Sequence, residues 1–257
     1  MAKPIRSSPI KPRGAAYYVD RIRRKVRTVP GSVPRQVFRY YLEKARKDRA
    51  SNNRQDLIAL TKYGNWETRR GIGLYNETLS SLKSFFKNNS IHGIEDIASS
   101  IPRGKNSVLR VLDDGAGDGR FLEELKQKML SKNIPTNTVA LSLTKNPKLL
   151  EQKRQKTVDE VFVGLAEKWV PEKPFDLIVS FFGSINYAIP GLQKDHLLKF
   201  AHSLKKGGVM IARLDLPEPI QRKAIAGIEK SFEKRGFKAR FYYIGEEAYD
   251  LIVQRIR

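Results

Sequence analysis

The spacing of apolar and polar positions changes period along this chain, and the changes mark its elements. Val108, Leu109, Val111 and Leu112 form a short apolar run that stops at Asp113-Asp114, which predicts a buried strand. Gly115, Gly117 and Gly119 follow. Beyond them Phe121, Leu122, Leu125, Met129 and Leu130 recur at three-to-four spacing, predicting a helix with these five on its buried face. Glu124 stands four residues before Lys128, a spacing that supports that helix. Asn133-Ile134-Pro135 is a break.

The alternation then repeats. Thr138 to Leu143 reads as a second strand, and Asn146-Pro147 opens a basic helix to about Lys156. Val158 to Val163 is a third strand ending at Gly164, and Phe175 to Phe181 a fourth. Gln193 to Lys206 reads as a helix stopped by Gly207-Gly208, before a fifth strand from Val209 to Leu214. Pro219 to Arg235 is a helix ended by Gly236, and Phe237–Ile244 with Ala248–Arg255 form a closing hairpin. Strands alternating with helices predict an α/β fold, a doubly wound and mostly parallel sheet with helices on both faces.

The first part of the chain is different. Residues 1–33 carry Pro4, Pro9, Pro12 and Pro30, which forbid a long regular helix. From Val33 the pattern turns helical, with Val37, Tyr40, Tyr41 and Lys44 at three-to-four spacing, and helical segments recur at about 56–63 and 74–86. In the last of these Leu74, Thr78, Leu82, Phe85 and Phe86 share a face. The organisation expected is an arm over 1–33, a mainly helical preamble over 34–106, and an α/β domain over 107–257. Gly104-Lys105-Asn106-Ser107 has the look of a phosphate loop, but Asn106 replaces the hydroxyl residue and a strand follows it, so a turn is expected there.

Charge sharpens the picture. The 257 residues carry 49 Lys and Arg against 27 Asp and Glu, a net +22, and residues 1–54 hold 16 of those cations and only 3 acids. Arg21, Arg23, Arg24, Lys25 and Arg27 lie just after Tyr17 and Tyr18. Positive charge with interleaved tyrosines suits an arm that follows a phosphate backbone and stacks on unpaired bases, which makes RNA or a ribonucleoprotein the expected partner. The plainer reading is a disordered, solubilising tail. No apolar run of about 18 residues occurs, so no membrane association is expected, and no apolar signal-peptide core stands near the start. The cytoplasm is the expected setting. With no cysteine, chemistry through a thiolate or a cysteine-held metal is excluded, and His92, His196 and His202 have no metal-ligand spacing.

A strand, a glycine turn and a helix place a crevice at the carboxyl end of a parallel sheet, where nucleotide-like ligands bind. Dinucleotide enzymes use G-x-G-x-x-G, but Arg120 holds the place of the third glycine and the run is G-x-G-x-G. Asp113, Gly115, Ala116, Gly117, Asp118 and Gly119 thus resemble the first motif of the class I (Rossmann-like) S-adenosylmethionine-dependent methyltransferases. Phe175-Asp-Leu-Ile-Val-Ser180 resembles that family's fourth motif. Leu204-Lys-Lys-Gly-Gly-Val-Met-Ile211 resembles its L-K-P-G-G strand entry, with Lys206 for proline. The resemblance spans residues 105–257 and implies a seven-stranded sheet ending in an antiparallel hairpin, with S-adenosyl-L-methionine as cofactor.

Carried over residue by residue, the resemblance assigns cofactor contacts to Asp113, Asp114, Gly115, Ala116, Gly117 and Gly119. Further contacts fall on Ser142 and Leu143 after the second strand, Ala166 and Glu167 after the third, and Ser180 and Phe181 after the fourth. The chain departs from the family twice: Ser142 stands where an acidic residue holds the ribose hydroxyls, and Leu165 where an aspartate accepts from adenine. For the acceptor, Asn186 and Tyr187 are the candidates to orient the receiving atom, and Phe181 or Phe182 to stack a base. No general base is needed for transfer to a good nitrogen nucleophile. The expected function is methylation of ribosomal or transfer RNA, with the arm binding RNA. Two alternatives stand beside it: a catalytically inactive methyltransferase-like component of a ribonucleoprotein, and a small-molecule methyltransferase.

Overall fold

The computed structural model describes residues 93–257, except 105–106, 143–145, 165, 167–168, 182, 188–189, 216–220 and 246–247. The arm, with Tyr17, Tyr18 and Arg21 to Arg27, and nearly all of the preamble lie outside the described residues.

Helix α1 (Ile94–Ser100) leads into strand β1 (Leu109–Asp114), then α2 (Arg120–Leu130), β2 (Thr136–Ser142), α3 (Pro147–Arg154), β3 (Glu160–Val163) and β4 (Phe175–Ser180). Helices α4 (Ser184–Tyr187) and α5 (Pro190–His202) follow, then β5 (Leu204–Asp215), α6 (Gln221–Glu233), β6 (Phe237–Gly245) and β7 (Ala248–Arg255). The strands form one sheet in the order β3-β2-β1-β4-β5-β7-β6. The first five run parallel, while β7 pairs antiparallel with both β5 and β6. A mostly parallel seven-stranded sheet with a closing antiparallel hairpin is what the resemblance implied.

Side chains alternate across the sheet and feed two cores. Val111, Val179 and Ile211 point to one layer, with Ala98, Phe121, Leu125 and Leu149 from α1, α2 and α3. Leu112, Ile178, Met210 and Ala212 point to the other, with Leu197, Phe200, Ile228 and Phe232 from α5 and α6. Burial on both faces explains why these strands read as nearly continuous apolar runs.

Several expected boundaries shift. Asp113 and Asp114 lie inside β1, each paired across to β2, where the apolar run alone had ended the strand at Leu112. Leu130 is 70% exposed and leaves the buried face of α2, because that helix ends at it. The largest correction concerns Gly207-Gly208, which does not stop a helix. Helix α5 ends at His202 and the glycines lie within β5, where pairing with β4 slips between Phe175↔Leu204 and Leu177↔Val209. A Cβ on Gly208 would come within 3.0 Å of the carbonyl oxygens of Lys205, Phe175 and Asp176, so only glycine passes. At the Gly104 turn, the Ser107 amide donates to the Gly104 carbonyl at 3.1 Å.

Candidate functional site

The strand order reverses between β2-β1 and β4, so the carboxyl end of β1 is the switch point where a crevice opens. The glycine turn leaves the sheet there. Gly115, Gly117 and Gly119 all hold positive φ, at 98°, 52° and 86°, backbone that other residues adopt only with strain. The turn is held from three sides. The Gly115 and Ala116 amides donate to the Leu141 carbonyl at 3.0 and 3.2 Å. The Asn146 amide group donates to the Gly117 carbonyl at 2.9 Å. The buried Asp118 carboxylate takes both Nε and Nη2 of Arg120, at 2.9 and 2.8 Å. A Cβ on Gly119 would collide with Gln152 and Leu149 of α3, so this glycine also lets α3 approach.

Asp113 and Asp114 sit beneath this turn, both at least 96% buried. Alternation sends Asp113 to the Val111 side and Asp114 to the Leu112 side. Asp114 Oδ2 accepts from Ser180 Oγ at 2.7 Å and from the amide and the hydroxyl of Ser184, each at 2.9 Å. Burial raises its pKa, and those hydrogen bonds together with the nearby His196 oppose the rise. Asp113 accepts no hydrogen bond from the described residues. Burial first, and the Asp114 charge second, push its pKa up to about 8. An anion so placed is complemented by a cationic group entering the crevice.

The remaining expected contacts divide. Ser142 ends β2, buried, and its carbonyl accepts from the Gly164 amide at 2.9 Å. Ala166 is buried beside Trp169, and its carbonyl accepts from Lys199 Nζ at 2.7 Å. Ser180 gives its hydroxyl to Asp114. Phe181 is 1% exposed, packed in the core with the Arg213 guanidinium 5.4 Å from its ring centre, so it offers no open face to a base. Leu143, Glu167, Leu165 and Phe182 lie outside the described residues, whereas Asn186 and Tyr187 fall on α4, directly after the serine that Asp114 holds.

Residues that sequence reasoning passed over complete this corner. A Cβ on Gly183 would lie 1.9 Å from the Asp114 carbonyl oxygen, so the chain can turn here only with glycine. The Gly183-Ser184 pair directly after a strand was the available signal. Arg213 and Asp250, on β5 and β7, form a bidentate buried pair at 2.9 and 3.0 Å. Burial raises the Asp250 pKa and Arg213 opposes the rise. Nothing local to either segment announces that partnership.

Among the described residues, no helix is long and apolar enough to cross a membrane. No family model matches the sequence, and no curated protein does. Solved structures do resemble it. The S-adenosylmethionine-bound amino pentose methyltransferase CalS10 of Micromonospora echinaspora is 15% identical, covering 62% of this chain and 89% of its own, at a TM-score of 0.44. Streptomyces venezuelae DesVI is 15% identical, covering 76% and 97%, at 0.47. The ribosomal protein L11 methylase of Lactobacillus delbrueckii subsp. bulgaricus is 16% identical, covering 64% and 78%, at 0.41. Nothing about this chain's substrate follows from them.

Proposed function

We propose that this protein transfers a methyl group from S-adenosyl-L-methionine to RNA, ribosomal or transfer RNA being the substrate class. The observation that carries the cofactor reading is Asp113: a buried carboxylate that accepts no hydrogen bond from the described residues, at the switch point of the sheet, under three left-handed glycines. Those features fit a ligand with a cationic amino-acid end that lies against bare backbone.

Asp113 would hold that cationic end, the Gly115–Gly119 turn would receive the body of the ligand, and the Ser142 hydroxyl would meet the ribose. The cofactor, once bound, supplies an electrophilic methyl group on a sulfonium. The chain's own part is binding and placement. Asp114 fixes the start of α4 through Ser184, and α4 carries Asn186 and Tyr187, which orient the acceptor. Proximity and orientation then supply most of the rate for a good nucleophile. The RNA reading rests on the charge of +22 and on the cation-rich arm.

Calorimetric titration of S-adenosylmethionine and S-adenosylhomocysteine into the full chain, beside Asp113→Ala, tests this function. Micromolar binding lost in the variant supports it, and methyl incorporation into RNA would complete it. If neither compound binds while RNA is held at low salt, the enzyme reading fails. The single hydroxyl of Ser142 at the ribose place would then be part of a non-catalytic RNA-binding component.

A further inference from the structure

The opposite end of the sheet carries a second concentration of charge. The closing hairpin brings the start of β6 beside the end of β7, pairing Phe237 with Arg255 and Lys238 with Gln254. The Ile256 and Arg257 amides both donate to the Gly236 carbonyl, at 2.9 and 3.3 Å. Arg255 Nη1 donates to the carbonyls of His202 and Leu204, tying the hairpin to the start of β5. Lys206, Lys234, Arg235, Lys238, Arg255 and Arg257 therefore share the amino-terminal end of the sheet. All but the half-buried Arg255 are exposed, and among the described residues none of the six is in an ion pair. Close by, Lys205 pairs with Asp176 and Arg110 with Glu160, while Lys126, Lys132 and Arg154 pair with Asp159, Asp96 and Glu151. The positive field is felt by His202, whose ring meets Phe237 edge-on at 5.2 Å. Its pKa is held below the ordinary value, first by partial burial and then by Arg255 and Arg235.

A pocket of about 450 Å³ adjoins this surface, lined by Ser99, Ile101, Arg103, Ser107, Ile134 and Pro135. Its neighbour Pro102 lies 3.8 Å from where a Cβ on Gly207 would stand, immediately after Lys206. Within it Arg103 Nη1 and Ser107 Oγ are buried and have no hydrogen-bond partner among the described residues. Both atoms can donate, and what both lack is an acceptor oxygen.

We propose that this amino-terminal end of the sheet is a docking surface for RNA, in which the cation cluster neutralises backbone phosphates and the Arg103–Ser107 pocket seats one of them. The proposal rests on the RNA reading above and extends it to the kind of RNA. The glycine turn lies at the other end of the parallel strands, on the order of 20 Å away for strands of this length. An RNA that reaches both ends is long or folded, and a short oligonucleotide fills only one.

The test uses the full chain, a folded RNA of transfer-RNA size and a ten-nucleotide strand, with affinity measured over a salt series. Two variants are compared with the wild type: Lys206→Gln with Lys234→Gln and Lys238→Gln, all exposed, and Arg103→Gln. Each lost phosphate contact lowers the salt slope by about 0.7–0.9, so the triple variant should lose about two in slope and roughly 10- to 100-fold in affinity for the folded RNA at 0.15 M salt. Arg103→Gln should lose about one in slope. Folded RNA should also raise the His202 pKa, read from its imidazole resonances, because phosphate favours the imidazolium. S-adenosylmethionine binding should be the same in all three proteins. Unchanged slopes in both variants overturn the proposal. A wild type that binds no RNA at any salt overturns the RNA reading itself, and is told apart by that.

Discussion

Asp113 and Asp114 are consecutive, almost equally buried and chemically identical, yet among the described residues Asp114 accepts three hydrogen bonds and Asp113 none. The strand pleat divides them. One carboxylate faces the serines around α4 and becomes part of the framework, while the other is turned to the Val111 side of the sheet.

Holding Asp113 ready opposes stability. Its folded pKa of about 8 lies above the ordinary 3.8, so folding takes up a proton between those values. The protein therefore loses stability as pH rises from about 4 to about 8, and loses no more beyond. Asp113→Asn removes that dependence. The variant should match the wild type in melting temperature near pH 4 and exceed it by about 5 °C or more at pH 8. A constant difference across that range would contradict the assignment.

Binding of a cation should run the same equilibrium backwards. Below about pH 8 Asp113 is protonated, and an entering cation must displace that proton. S-adenosylmethionine should bind more tightly as pH rises from 6 to 8, then level off. Near pH 7 it should release close to one proton, measured by calorimetry in buffers of different ionisation enthalpy. Binding without proton release would place the cation elsewhere.

Asp114 should matter for structure before chemistry. Asp114→Ala strands Ser180 Oγ and the Ser184 amide and hydroxyl, at about 1–3 kcal/mol for each group left unsatisfied, and denaturant unfolding should register several kcal/mol in all. Ser184→Ala removes one hydrogen bond to a charged group, about 1.5–3 kcal/mol. Gly183→Ala should be worse than either single serine change, because its Cβ would meet the backbone oxygen of Asp114, which cannot swing away.

The Arg213–Asp250 pair joins the last parallel strand to the antiparallel one. Asp250→Ala leaves a buried guanidinium without its partner and should destabilise by about 3–5 kcal/mol. Replacing both, as Arg213→Met with Asp250→Leu, should restore most of that loss. If the double variant is as unstable as the single, the pair holds the hairpin by more than charge compensation.

Much of the fold was readable locally because both faces of the sheet are covered. Apolar runs separated by glycine and proline located six of the seven strands to within two residues, missing the first five residues of β5, and G-x-G-x-G located the turn that begins α2. Where a local signal had two meanings, the reading slipped. Gly207-Gly208 looks the same whether it ends a helix or lets a strand press against the carbonyls of Phe175 and Asp176, and only the partner strand distinguishes the two.

The sequence by itself determined the order of strands and helices, the glycine turn with its acidic neighbours, and the excess of positive charge. These depend on residues close together in the chain, whose spacing reports periodicity and turn chemistry directly. Tertiary structure alone decided which of two adjacent aspartates takes the hydrogen bonds of Ser180 and Ser184, that Phe181 belongs to the core, that Arg213 meets Asp250, and that cations from three separate segments share one end of the sheet. Each of these depends on what a distant segment places beside a side chain: a hydrogen-bond donor, an apolar wall or a like charge. No spacing within the segment carries that information.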